Sequence, residues 1–436
     1  MRRAMYSIAV LLGCLALAGC TVTEEKIELW KTTQNGPKKL AGAMIDTSID
    51  TPLRAKAGVA LVAINEWDFF REAFQKMERA DAQGVILGMT PLLGELVGGG
   101  GPDATITREQ IDAKDALFIT LDHAEGEARE AVSRHLIAWC TQGQYNQRAM
   151  AGQYNSRTIV RKLGAPAAEA MIPMMTVDEV TNEYIANLIR DIDDAAVIEK
   201  ASAHWAGVLK ANLAKVGEFH MVVAGVIGGE ALADALVELA SAKDLSAELQ
   251  RFALRAYSMA FEKGHMKASP GRMERLFEMA ESAEYDKYHR EETYLTIAQI
   301  GEASAADRVA RLLQEKDFFM RLVGLRCLLR MDGPGQIGRA LGTRGLAASA
   351  REIAEVVDWV GRFPDLREAL LEVASSGTPF ARGVALQALA TVGGAADAEA
   401  IGGLAGNRTR LPKGFEHGTV GEAARATAEK LKQQEG

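Results

Sequence analysis

"QYNQR" at residues 144–148 recurs as "QYNSR" at residues 153–157. Gln, Tyr, Asn and Arg combine adaptable hydrogen bonding with a flat aromatic ring, which is the chemistry of a recognition surface. Tyr145, Arg148, Tyr154 and Arg157 are therefore the candidate contacts for a protein partner or a glycan. The competing reading is a polar loop between helices whose two halves are alike by chance. Other reactive side chains are dispersed. Histidines stand at 123, 135, 204, 220, 265, 289 and 417, with no HExxH motif and no Cys/His pair at metal-ligand spacing, so no metal site is expected. The chain has neither a GxSxG nucleophile elbow nor a GxxxxGK[ST] phosphate loop. "GVIGGE" (225–230) has three glycines but no strand pattern before it, and reads as a turn between helices. No catalytic residue and no cofactor is expected.

The elements that must position these residues are helices, and they repeat. Four stretches align without gaps: "RAKAGVALVAIN" from Arg54, "REETYLTIAQIG" from Arg290, "RLVGLRCLLRMD" from Arg321 and "RGVALQALATVG" from Arg382. The third residue after each Arg is small or short (Ala57, Thr293, Gly324, Ala385). The seventh is aliphatic (Leu61, Ile297, Leu328, Leu389), and the tenth is apolar (Ile64, Ile300, Met331, Val392). Steps of three and four put these positions on one helix face, the small residue marking close approach of a neighbour. The eleventh, Asn65, Gly301, Asp332 or Gly393, suits a left-handed cap or a turn. Four residues before three of the Arg lies an Asp (Asp50, Asp286, Asp317), and the fourth copy has Thr378 followed by Pro379. Such residues can accept the orphan N–H groups of a first helical turn. Upstream of each cap runs a shorter amphipathic segment, at 38–46, 271–284, 306–316 and 366–375. The predicted unit is helix, short turn, capped helix.

This unit resembles the HEAT repeat, whose second helix typically opens with an Asp and carries an Arg about four residues on. The resemblance implies an all-α fold, a right-handed α-α superhelix or solenoid. It also implies a structural ladder linking successive repeats through Asp50, Arg54, Asp286, Arg290, Asp317, Arg321 and Arg382. It is strongest over 270–394 and around 37–65, and poor from 141 to 228, where irregular helices are expected. "REIAEVVDWVGRF" (351–363) is a degenerate copy, and weaker copies start near Arg129 and near Gln250 with Ser246 as cap. Four consecutive glycines make "VGGGGPD" (97–103) a loop. Residues 406–419 read as a polar insertion before a last helix over 421–434.

The N-terminus sets the expected location. An apolar run from Ile8 to Gly19 follows Arg2 and Arg3, too short to span a bilayer and patterned as a secretory signal. Its end, Leu17-Ala18-Gly19-Cys20, resembles the lipobox of bacterial lipoproteins. That resemblance implies cleavage of residues 1–19, acyl chains such as palmitate on Cys20, and a lipidated tether over 20–36 before a solenoid over 37–436. Thr21, where an Asp would favour inner-membrane retention, points to the outer membrane facing the periplasm.

Removing residues 1–19 takes away two of the 50 basic side chains and none of the 58 acidic ones, for a formal charge of −10. A chain this acidic lacks the electrostatic footprint of a nucleic-acid binder. Cys140 and Cys327 are too far apart in such an array to bridge and are expected as buried free thiols. The reading of best fit is a non-catalytic, membrane-tethered scaffold, monomeric alone, that binds an unidentified envelope protein. The alternatives are an envelope-maintenance lipoprotein without a discrete ligand and, from the HEAT-like resemblance alone, a relative of tetrapyrrole lyases.

Overall fold

A computed structural model describes residues 21–99, 105–141, 145–301 and 303–433, apart from the side chains of residues 145, 146 and 303. The expected signal segment with Cys20, and most of the glycine loop, lie outside the described residues. Among those described the fold is all-α, with 24 α-helices and no strand, only two isolated bridges in the segment 410–419. No described helix is long and apolar enough to cross a membrane. The chain divides into two compact units, Met1–Ala201 and Ser202–Gly436.

The first unit opens with α1 (Glu24–Trp30), α2 (Gly36–Ile45), α3 (Thr51–Ala63), α4 (Trp67–Lys76) and α5 (Arg79–Gly98). It continues with α6 (Arg108–Thr120), α7 (Gly126–Thr141), α8 (Tyr145–Met150), α9 (Ser156–Leu163), α10 (Ala165–Met171) and α11 (Asn182–Ile192). The division falls within α12 (Ala195–Ala211). The segment expected as a tether is in part a helix, because Ile27 is buried where α1 packs on α2 and α3. Glu24 also pairs with Lys56 of α3 at 2.6 Å. α3 packs on α2 and α5, and α5 on α6 and α7, with Val85, Ile86, Met89 and Leu93 fully buried between them. Between residues 145 and 171 the helices are short, of six to eight residues, and α12 is again long, at 17 residues.

The second unit runs α13 (Glu218–Ile227), α14 (Glu230–Ser241), α15 (Ala247–Glu262), α16 (Pro270–Glu281), α17 (Lys287–Ile300) and α18 (Ala303–Val309). It ends with α19 (Phe318–Gly342), α20 (Ala350–Val360), α21 (Arg367–Ser376), α22 (Pro379–Val392), α23 (Asp397–Gly402) and α24 (Val420–Gln433). The shorter first helices pair with the capped second ones: α14 with α15, α16 with α17, α18 with α19, α21 with α22, α23 with α24. The second helices also pack on one another in sequence, α15 on α13 and α17, α17 on α19, and α22 on both α20 and α24. α19 is two helices joined at Asp332 (φ −160°, ψ 79°), the stop position of its repeat copy. The Asp332 carboxylate accepts the Gly335 N–H at 3.1 Å and restarts the helix beside Pro334.

The caps explain why the helices begin where they do. Asp286 accepts the N–H of Tyr288 and His289 at 2.8 and 2.9 Å, Asp317 that of Phe319 at 3.0 Å, and Thr378 that of Ala381 at 3.3 Å. Asp50 makes no such bond, and α3 starts on Pro52 alone. Asn65 (φ 60°) and Gly301 (φ 72°) take the left-handed conformation expected past the helix end.

Candidate functional site

The repeated arginines face the carboxyl ends of the helices that precede them. Arg54 Nε donates to Met44 O at 3.0 Å, Arg290 Nε to Ala280 O at 2.7 Å, and Arg382 Nε to Ala374 O at 2.8 Å. Each guanidinium thus satisfies a carbonyl that the helix cannot pair itself and lies at the negative end of its dipole. These three bonds stay within one helix pair. Contacts between successive pairs are made by Arg54, 3.6 Å from Asp81, by Asp286, 3.8 Å from Arg251, and by Arg321, which donates to Leu346 O at 3.0 Å as well as to Glu315 O and Lys316 O.

The QYN segment surrounds a buried charge that the sequence did not single out. Lys114 of α6 is wholly buried, and its ammonium donates to Asp115, to Ala151 O at 2.8 Å and to Tyr154 O. Asp115 in turn accepts the N–H of Gln153 at 2.8 Å and of Tyr154 at 3.3 Å. Burial pulls the Lys114 ammonium below its ordinary range, and Asp115 opposes the shift. With three acceptors for three N–H bonds, this lysine has the makings of a structural clamp. Gly152 (φ 80°) permits the close approach, since a Cβ there would lie 2.6 Å from Asp115 Oδ2 and 2.9 Å from Lys114 Nζ.

The four partner-contact candidates therefore part company. Tyr145 opens α8, its side chain outside the described residues. Arg148 is interior: its guanidinium lies 4.6 Å from the Trp139 ring centroid and donates to Val97 O at 3.4 Å, and burial lowers its pKa. Direct contact with a partner is closed to Arg148, because a cation over a buried indole lines the core. Tyr154 is half-buried against Phe118, centroids 4.3 Å apart. Arg157 is exposed and pairs with Asp191 at 2.8 Å. Cys140 and Cys327 are both free and fully buried, and burial pushes their thiols up to about 11 and about 12.

An open groove of about 670 Å³ lies in the second unit, formed by α20, α22, α24 and residues 414–417. Ala354, Val357, Ala390 and Ala426 give it small apolar surface, and Gln387, Thr391 and Thr427 supply polar groups. Its charged residues are Arg362, paired with Asp358 at 2.6 Å, together with Glu416 and Lys430, and His417 adds an imidazole. Beside it two guanidinium groups, Arg326 and Arg362, lie 4.1 and 4.2 Å from the Trp359 ring centroid. Small side chains beside mixed charge can receive a polypeptide backbone and pair with its polar groups. Sequence reading reached this region only as repeat copies and an insertion. The sequence feature that could have marked it is the set of alanines on these helices, Ala354, Ala390 and Ala426. Among the described residues no group of three His, Cys, Asp or Glu is placed to hold a metal ion.

No protein-family model matches the chain. No curated protein matches it. Among solved structures it is similar to the crystal structure of an engineered protein, at 15% identity over 91% of this chain and 98% of that one, with a TM-score of 0.27. A likeness that low carries no argument about fold or function.

Proposed function

We propose that the protein is a HEAT-like α-solenoid that acts as a non-catalytic scaffold, receiving a segment of a partner protein in the groove of α20, α22 and α24. The observation that carries this reading is the groove itself: three successive second helices leave about 670 Å³ open, lined by small residues and both signs of charge. A row of repeated helices offers a long continuous surface, which suits a polypeptide better than a closed pocket would. The lipobox resemblance adds the address. Acyl chains on Cys20 would hold the scaffold on the bacterial envelope, on the outer membrane facing the periplasm. Tyr154 and Arg157 remain candidate contacts on the first unit, considered by itself.

Cross-linking in intact cells with the full-length chain as bait tests both parts, beside Cys20→Ala and Ala390→Trp versions. The expected result is a reproducible partner that is lost when Trp fills the groove and reduced when the anchor is removed. Equal capture by the Ala390→Trp chain would remove the groove from the reading, and unchanged membrane association of Cys20→Ala would remove the lipid.

A further inference from the structure

Other helix pairs of the second unit are joined by short turns, as at 377–378 between α21 and α22. Between α23 and α24 the connection runs over residues 403–419. Closing a helix pair does not require such length, and long ordered loops are commonly functional. The base of this one is a hairpin: Val420 N donates to Thr409 O at 2.9 Å and Leu411 N to Gly418 O at 3.0 Å, with Leu411 buried.

The tip lies across the start of α20 and α22. Gly414 (φ 106°) sits so close that a Cβ would fall 3.0 Å from both Ala350 N and Ile353 Cδ1. The Phe415 ring meets Phe380 edge-on, centroids 5.8 Å apart, and fills the space beside Gly383. A Cβ on Gly383 would lie 2.6 Å from the nearest ring carbon. The residue after the repeat Arg is Ala55, Glu291 or Leu322 in the other copies, so this copy alone leaves the notch open. Among the described residues no hydrogen bond or ion pair ties 412–417 to α20, α22 or α24. The base is fixed by backbone hydrogen bonds, and the tip is held by apolar contact, which is non-directional and open to replacement by another ring. Glu416 and His417 ride on this tip and form part of the groove lining.

We infer that the Phe380–Gly383 notch is the anchor subsite of the groove and that Phe415 is its internal occupant. The external occupant is a polypeptide segment with an exposed aromatic side chain. It displaces Phe415, seats its own ring against Gly383, and runs along the groove toward Arg362 and Lys430. This rests on the groove reading above and names the chemistry of the partner.

The probe is a fluorescent synthetic peptide of residues 408–420, added to the full chain and followed by anisotropy, with helix content checked by circular dichroism. Phe415→Ala, whose notch is empty, is expected to bind it at least about tenfold more tightly than the unaltered chain, because self-occupancy lowers apparent affinity by the open fraction. A peptide with Phe415→Ala should not bind, and Gly383→Val combined with Phe415→Ala, which refills the notch with a side chain, should abolish binding. Equal binding to the unaltered and Phe415→Ala chains, no binding to either, or equal binding of the ringless peptide would overturn the inference. The two readings fail separately. Cellular partner capture lost with Ala390→Trp but retained with Gly383→Val leaves the groove standing without its anchor, whereas capture retained in both removes the groove.

Discussion

Lys114 in the first unit and Arg382 in the second are both cations largely withdrawn from water, and they find their partners in opposite ways. Arg382 stands four residues after the Thr378 cap and reaches back to the carboxyl end of the helix just before it, at Ala374 O. That carbonyl is orphaned by helix geometry, so the helix pairs of Arg54, Arg290 and Arg382 each bring an acceptor to their own arginine. Lys114 sits in the middle of α6, where no helix end offers a carbonyl; beyond the adjacent Asp115, its acceptors come from the loop after α8, at Ala151 and Tyr154. Where the repeat holds, a buried charge is matched locally. Where it fails, a loop from tens of residues away must be folded over the charge, and Gly152 is the residue that lets it approach.

Four measurements would break or sharpen this contrast. Lys114→Met strands the Asp115 carboxylate and two carbonyls, and should cost about 3–5 kcal/mol, the range for breaking a buried pair. Hydrogen exchange over residues 105–163 should rise far more than over 287–392; a uniform or negligible change would show that the clamp does not organise the first unit. His289 supplies the next effect. Its ring is 1% exposed, stacked on Tyr285 at 4.4 Å, and both nitrogens lack a partner. Burial lowers its pKa from 6.5 to about 4. The unfolded chain takes up a proton below about 6.5 that the folded chain refuses until about 4. This contribution is therefore intact above 6.5 and falls away between 6.5 and 4, by about 3 kcal/mol in all. Urea midpoints of the second unit should follow that window and flatten there in His289→Phe.

Arg382→Ala removes a charged donor from a helix end and should cost about 1.5–3 kcal/mol, with Arg382→Lys recovering part of it. A cost as large as that of Lys114→Met would erase the distinction between local and imported partners. Arg157→Ala, which breaks an exposed pair with Asp191, should cost at most about 1 kcal/mol. A larger loss there would mean that the 153–157 segment contributes more to the fold than its exposure suggests.

The repeat was legible because its signals are local. Asp286, Asp317 and Thr378 cap helices from the position just before them, and apolar steps of three and four residues mark the buried face whatever it packs against. The Asp332 break inside α19 was legible for the same reason. The clamp was not, since "IDAKDALF" reads as an ordinary charged turn of helix until the 151–154 loop is brought to it. The QYN repetition drew notice for its residue types, yet it is mostly the backbone of its second copy that does the binding, at Gln153 and Tyr154, and side-chain reasoning is blind to that.

By itself, then, the sequence determined the helices, their caps and their pairing, because each depends on residues within one or two turns of the chain. Tertiary structure alone decided that Lys114 and Arg148 lie inside, that Phe415 lodges against Gly383, and that α20, α22 and α24 leave a groove. Each of these joins residues tens of positions apart, where packing distances, and not residue spacing, select the contact.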